Sequence, residues 1–446
     1  MGFAGVRTCR NGDRMRYLST RGGVPPETLS NALAAGIAGD GGLFMPEALP
    51  VFRANAFSGR EPLPPLAAGL LEPFFRGDAL AAQLSEICTE SLDLPVPLRA
   101  LAPHTWALEL FHGPTAAFKD FGARFLAACL ARMRAHGAPA MTVLVATSGD
   151  TGAAVAAAFH RRPGFRVVIL YPDGRVSPRQ AHQLGCFGDN VRTFRVSGSF
   201  DDCQHLVKRA LGDESLRHAV ALTSANSISL GRLLPQITYY AHAALAHWLA
   251  HGRRLNFVIP TGNLGNALAC ALARSTGLPV GDIVLATNAN RVLPDYFAGG
   301  EYAPRPSVAT LATAMDVGAP SNFERLRWLY ADDARLRKAL SAEAVDDDEI
   351  RDEIRASRSR YGAPICPHTA TAIRVLARRR ERGDTRDYAV VATAHPAKFE
   401  TVVEPLIGAK VDVPPALKVL LDRPARTEPL QPDYAALRVR LLTPDT

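Results

Sequence analysis

Four stretches of this chain repeat one pattern: a short apolar, often β-branched run, a turn of small polar residues, then a longer alanine-rich segment. "MTVLVATSGDTGAAVAAAFH" (141–160) shows it most clearly, and "LNFVIPTGNLGNALACALA" (255–273) repeats it. "RVVILYPDGRVSPRQAHQL" (166–184) and "YAVVATAHPAKFETVVEPL" (388–406) are related forms. A short continuous apolar run reads as a strand buried on both faces, and the helix after it is the crossover that parallel pairing requires. The pattern therefore predicts an α/β chain built on parallel sheet. Further strands are expected at "VRTFRV" (191–196), "AVALTSA" (219–225) and "IVLATN" (283–288). In such folds ligands bind where the carboxyl ends of strands meet helix N-termini.

A chain of 446 residues exceeds what one hydrophobic core supports, so more than one domain is expected. Residues 15–105 are rich in proline and glycine, with one helical pattern around "PETLSNALAAGIA" (26–38), and read as an N-terminal lobe on the α/β body. Residues 331–360 read as a charged, peripheral helical segment, and residues 417–446 as an appended surface element. Residues 1–14 lack the apolar stretch of a signal peptide and are expected to be a disordered or non-native extension before Met15.

The chain is 47% hydrophobic and 21% charged, as soluble globular proteins are, and no apolar run is long enough for a membrane span. Its net charge of +8 raises the question of nucleic acid. The arginines are scattered among acids, as in "RRRERGDTRD" (378–387), with no basic stripe carrying spaced aromatics. That argues against nucleic acid and for a surface that attracts small anionic ligands. The seven cysteines, at 9, 88, 129, 186, 203, 270 and 366, are widely spaced and form no C-x-x-C. A reducing, cytoplasmic compartment is expected, without a disulfide framework or zinc site. No metal-ligand spacing such as H-E-x-x-H occurs, so no catalytic metal is expected.

Two glycine-rich turns carry the first chemical signal. "ATSGDTG" (146–152) and "TGNLGN" (261–266) each follow a strand and open a helix, where free amides and the helix dipole attract anions. Neither matches a P-loop or a G-x-G-x-x-G fingerprint. The second signal is an amine. Of the 51 basic residues only six are lysine, at 119, 208, 338, 398, 410 and 418. A lysine amine can lose its proton and form a Schiff base; a guanidinium cannot. Lys119, in "HGPTAAFKDFGARF" (112–125), lies beside a polar loop. Lys208 and Lys338 sit in charged helical stretches and read as chance survivals. Lys398, in "AHPAKF", is the competitor, although it falls in a helix start. Two anion-binding turns and a retained amine imply a phosphorylated cofactor and an anionic substrate in one cleft.

The stretches "LELFHGPTAAFKDFGARF", "ATSGDTGAAVA", "VVILYPDGRVSPRQ", "SANSISLGRLLPQ", "PTGNLGNALA", "AMDVGAPSNFER" and "TAHPAKF" follow one another as in the threonine synthases. The chain resembles that family of pyridoxal-phosphate enzymes, of fold type II, from about Met15, through "YLSTRG" (17–22) and "GDGGLFMP" (39–46), to its C-terminus. The resemblance is to the longer form with an extra N-terminal lobe. It implies two α/β domains containing parallel sheet, with pyridoxal 5'-phosphate in the cleft between them. Residues 106–220 would form the smaller, carrying Lys119 and the SGDTG turn, and residues 221–446 the larger, carrying GNLGN and Thr393.

Carried over by residue, Lys119 would be the Schiff-base lysine. Gly262, Asn263, Leu264, Gly265 and Asn266 would cradle the cofactor phosphate. Asp150 would lie beside the cofactor's phenolic oxygen, and the Thr393 hydroxyl would meet the pyridine nitrogen. The implied substrate is O-phospho-L-homoserine, converted with water to L-threonine and phosphate by γ-elimination and β-addition. Thr147, Ser148 and Thr151 would hold one of its anions, with Ser224, Asn226 and Ser227 nearby. Arg175 and Arg232 would offer charge-assisted hydrogen bonds to its phosphate. Arg175 stands where some relatives carry lysine, which keeps the charge and changes the donor geometry. The alternatives are a phospho-lyase yielding 2-oxobutyrate, or another fold type II lyase or dehydratase. His112, His368 and His395 read as packing residues near the site. A monomer or homodimer is expected.

Overall fold

Two parallel sheets organise the chain in a computed structural model that describes residues 7–8, 14–53, 55–135 and 137–443. The five-stranded sheet runs, edge to edge, Ala221–Ser224, Met141–Ala146, Phe165–Pro172, Val191–Val196 and Glu428–Leu430, every pair parallel. The six-stranded sheet runs Leu340–Ala344, Val280–Thr287, Leu255–Pro260, Tyr388–Ala392, Thr105–Glu109 and Leu98–Ala102. Only its last pair is antiparallel. Every strand expected from the apolar runs is present. Phe165–Pro172 and Leu255–Pro260 are buried along their whole length, which explains why they read as continuous apolar runs without alternation.

The sheets are not contiguous in sequence. Ala221–Ser224, on the far side of the expected 220/221 division, pairs with Met141–Ala146 in the five-stranded sheet. Strand Leu98–Ala102, expected in the N-terminal lobe, is the antiparallel edge of the six-stranded sheet. Two other expectations are corrected. The segment 331–360 is not wholly helical and peripheral: between helices Asp333–Ala339 and Asp347–Tyr361 it supplies the edge strand Leu340–Ala344. Of the expected surface appendage 417–446, the described residues 417–443 are built into the fold. Glu428–Leu430 closes the five-stranded sheet, and Leu430, Leu437 and Leu441 are buried with Phe194 and Val196 in one core cluster.

The long helix Leu230–His251 packs on helix Lys119–Met133 and on Gly265–Ser275, so the helices that open at the glycine-rich loops and at Lys119 share one core. Helices Leu63–Phe75 and Leu84–Leu92 of the N-terminal lobe cover this core from outside. Of the expected extension 1–14, residues 1–6 and 9–13 lie outside the described residues, while Arg7–Thr8 pair in parallel with Ala48–Leu49. Among the described residues no helix is long and apolar enough to cross a membrane.

Candidate active site

Four strand ends, two from each sheet, deliver Thr147, Ser224, Thr261 and Thr393 toward a pair of neighbouring cavities. Lys119, Ser227, Asn263 and Ala314 line both. The first cavity gathers Lys119, Asp150, Thr393, Arg232 and the whole of the loop 262–266, together with His368 and Gln236. The second gathers Thr147, Ser148, Thr151, Ser224, Asn226 and Ser227. Arg175 joins neither: it is exposed in the turn after Pro172.

Lys119 is the first residue of helix Lys119–Met133, and the loop before it is stitched to the strand end that carries Thr393. The Phe118 amide donates to the Thr393 carbonyl at 2.8 Å, and the His395 amide to the Ala116 carbonyl at 3.0 Å. Inside the loop, buried Asp120 accepts from the Thr115 amide and hydroxyl at 2.9 and 2.7 Å. The Lys119 amine makes no hydrogen bond or ion pair among the described residues. Its enclosure, then the nearby Arg232 charge, outweigh the pull of Asp150 and bring it down to about 8. A helix N-terminus disfavours a cation in the same direction.

Lys398, the competing lysine, is fully buried and committed elsewhere. Its amine pairs with Asp150 Oδ1 at 2.8 Å and donates to the Thr115 carbonyl at 2.7 Å. Asp150 also accepts from Gln180 Nε2 at 2.9 Å. Burial raises its pKa, but the Lys398 charge and hydrogen bond, with the Gln180 hydrogen bond, hold it below the usual carboxylate range. Asp150 is therefore an anion.

The loop 262–266 is held by its own side chains and by a second loop. Asn263 donates to Ser227 Oγ at 2.6 Å and accepts from the Ser321 amide, while Asn322 donates to the Asn263 carbonyl at 2.9 Å. A Cβ on Gly262 would come within 2.9 Å of Met315 Cα, so no side chain fits there. Leu264 takes φ 64°, a left-handed conformation at the helix start that costs about 1 kcal/mol outside glycine. Asn266 accepts from the Tyr239 and Tyr240 hydroxyls, and its Nδ2 is buried without a partner. Arg232 donates to the Ala225 carbonyl, and its Nε is likewise buried without a partner. In the first turn, Gly149 sits at φ 126°, and the Thr147 hydroxyl oxygen accepts the Gly149 and Gly152 amides at 3.0 and 2.9 Å.

Three lining residues were given no binding role by the sequence, although His368 was expected near the site. His368 accepts from the Ala314 amide through Nε2 at 3.1 Å, and its Nδ1 is buried without a partner. Burial brings it down to about 4, so it is neutral. Gln236 closes the quoted stretch SANSISLGRLLPQ but was given no role, and Lys208 lies on a charged helix whose sequence shows no motif. His112 is exposed and bonded to Glu109, and neither it nor His395 lines either cavity. Among the described residues no group of three or more His, Cys, Asp or Glu could hold a metal.

A family model described as pyridoxal-phosphate dependent enzyme matches residues 85–396. Models for the threonine synthase N terminus and C-terminal region match residues 16–92 and 369–439. The chain is 39% identical to threonine synthase of Haemophilus influenzae over 93% of its length and 96% of the relative's. The crystal structure of the Escherichia coli threonine synthase superposes with a TM-score of 0.89 at 37% identity, covering 96% of this chain and 99% of that one. The PLP-bound threonine synthase of Brucella melitensis gives 0.87 at 34% identity, covering 96% and 99%.

The donor set of the first cavity fits that cofactor: a free amine of lowered basicity for an aldehyde, amides at a helix start for a phosphate, and buried nitrogens lacking acceptors. Model, relatives and site agree, and the chain belongs to the threonine synthase family of pyridoxal-phosphate-dependent enzymes.

Proposed function

We propose that the chain converts O-phospho-L-homoserine and water into L-threonine and phosphate. The observation that carries this reading is one unpaired amine, Lys119, shared by two cavities of different character. One ends in the glycine-rich cradle. The other is walled by hydroxyls and amides with no carboxylate, as a substrate with two anionic groups requires.

Bound in the first cavity, the cofactor supplies an electron sink for charge developed on the substrate carbons. Amides of Gly262–Asn266 would hold its phosphate, with the unpartnered Asn266 Nδ2 available as a further donor. Asp150, kept ionised by Lys398, would serve its phenolic oxygen, and the Thr393 hydroxyl would serve its ring nitrogen. Lys119 takes the proton from the substrate Cα and returns it there. An amine brought down to about 8 has enough neutral form near neutrality to act as base and enough driving force to give the proton back. A second proton leaves Cβ as phosphate leaves Cγ with the electron pair of the broken C–O bond. Cγ then takes a proton to become the methyl, and water adds its oxygen at Cβ and gives up a proton. Thr147, Ser148, Thr151, Ser224, Asn226 and Ser227 hold the substrate's anions. Arg232, lining the cofactor side, acts on that side of the cleft, and exposed Arg175 enters only if its turn moves inward. The proposed assembly is a monomer or a homodimer. The six described cysteines are buried and free, which supports a reducing, cytoplasmic compartment.

The test is phosphate and threonine measured together on O-phospho-L-homoserine. Equal yields are expected, and Lys119→Ala should lower turnover by more than about 1,000-fold. Phosphate accompanied by 2-oxobutyrate would replace this reading with that of a phospho-lyase.

A further inference from the structure

The second cavity has an unassigned cation. Helix Phe200–Gly212 turns one face toward it, with Phe200, Gln204, Val207, Lys208 and Leu211 on the lining, a spacing that keeps them on one stripe of the helix. Lys208 is exposed and makes no hydrogen bond or ion pair among the described residues. Among the described residues no Asp or Glu lines the cavity, and its cations are Lys119 and Lys208. Opposite lies the SGDTG turn. There the Thr147 oxygen already accepts two amides, which leaves its hydroxyl proton for an anion. Ser227 Oγ accepts from Asn263 and is left with its proton in the same way. These are donors for an anion that still needs a counter-charge.

The arginines named for that role do not supply it. Arg175 is off the cavity, and Arg232 lines the cofactor side with its Nη1 given to a backbone carbonyl. Lys119 must be free to move a proton. A chain that writes arginine at nearly every cationic position keeps a compact ammonium here, on the face of this helix that meets the cavity.

We propose that Lys208 neutralises the substrate phosphate in the second cavity and sets the preference for a phosphorylated amino acid over its unphosphorylated counterpart. This rests on the reaction proposed above. Lys208 is then a binding and specificity residue, and the flexible reach of its side chain lets the leaving phosphate depart through the exposed side.

The test uses the holoenzyme, Lys208→Gln and Lys208→Arg. Lys208→Gln is expected to raise KM for O-phospho-L-homoserine by about 10- to 100-fold, the range of a lost charge-assisted hydrogen bond. kcat should stay within about 3-fold, the signature of binding lost equally from ground and transition states. Inhibition by inorganic phosphate should weaken by a similar factor to KM. Binding of L-threonine, which has no phosphate, should be unchanged when read from the absorbance of the bound cofactor. Lys208→Arg should recover most of the loss. An unchanged KM and unchanged phosphate inhibition in Lys208→Gln would overturn the proposal. So would equal losses for phosphate and L-threonine, which would mark a packing role. If the wild type fails to turn over O-phospho-L-homoserine, the proposed reaction falls. Inorganic phosphate affinity by calorimetry then decides Lys208 alone: weaker binding to Lys208→Gln supports the anion site, and equal binding ends it.

Discussion

An enclosed amine with no hydrogen bond or ion pair among the described residues, resting only against the Phe118 ring, is a cost that function explains, and Lys119 carries that cost in a testable form. Its ordinary value is 10.5 and the folded protein brings it to about 8, by burial first and then by the Arg232 charge. The sign follows from proton counting. Between about 8 and 10.5 the unfolded chain holds a proton on this amine that the folded chain has lost, so stability rises with pH across that window. Below about 8 both states are protonated and the cost of burying the charge is paid in full. Lys119→Met removes the charge at similar volume. In the cofactor-free protein at pH 7 the variant is therefore expected to be more stable than wild type by roughly 1–3 kcal/mol. That advantage should shrink as pH is raised through the window. Urea unfolding at pH 7, 8.5 and 10 measures it, and a pH-independent gap would count against the assignment. Lys398 shows the contrast: a fully buried lysine whose ammonium is paired with the Asp150 carboxylate.

At the scale of elements, the glycine-rich loop depends on a residue that never touches the site. Arg325, fully buried in helix Phe323–Tyr330, donates to Asn322 Oδ1 at 2.8 Å, to the Phe44 carbonyl at 3.0 Å and to the Ile228 carbonyl at 2.8 Å. It thus ties the N-terminal lobe to the loop before Leu230 and, through Asn322, to Asn263. Arg325→Lys keeps the charge but cannot span three acceptors with one ammonium. We expect it to cost about 2–4 kcal/mol in urea unfolding and to speed loss of bound cofactor on dialysis. The motif holding Asn322 and Arg325 was visible in the sequence, but its role was not, because the partners lie far off in the chain. The same physics divides the strands that could be read from those that could not. Interior strands such as Leu255–Pro260 are apolar on both faces and announce themselves, and so did the two loops and the amine. The edge strands "LSAEA" and "EPL" are short and partly polar, since one side of an edge faces solvent and needs no apolar run. Lys208 was passed over for a related reason: its helix is charged, and only packing shows that one face of it meets the cavity.

Across the whole molecule, the last segment is what completes the five-stranded sheet. Glu428–Leu430 pairs with Val191–Val196 and covers what would otherwise be an open edge. Arg166, inside the sheet, donates to the Leu441 and Arg440 carbonyls at 2.8 and 3.0 Å, and Arg192 grips Glu428 at 2.8 and 3.0 Å. Leu430, Leu437 and Leu441 are buried there, worth about 1.5–3 kcal/mol each. Deleting residues 424–446 removes all of this far from the cofactor loop, yet it uncovers the sheet that carries the SGDTG turn. The truncated protein is expected to lose about 5 kcal/mol or more and to self-associate through the bared Val191–Val196 edge. Thermal melting with size-exclusion chromatography tests both effects. Arg166→Met separates them, because it cuts the tie to the last helix while leaving the edge strand in place. It should lower stability by about 2 kcal/mol without new association. A truncated protein that melted with the wild type and eluted at the same volume would return residues 417–446 to the status of an appendage.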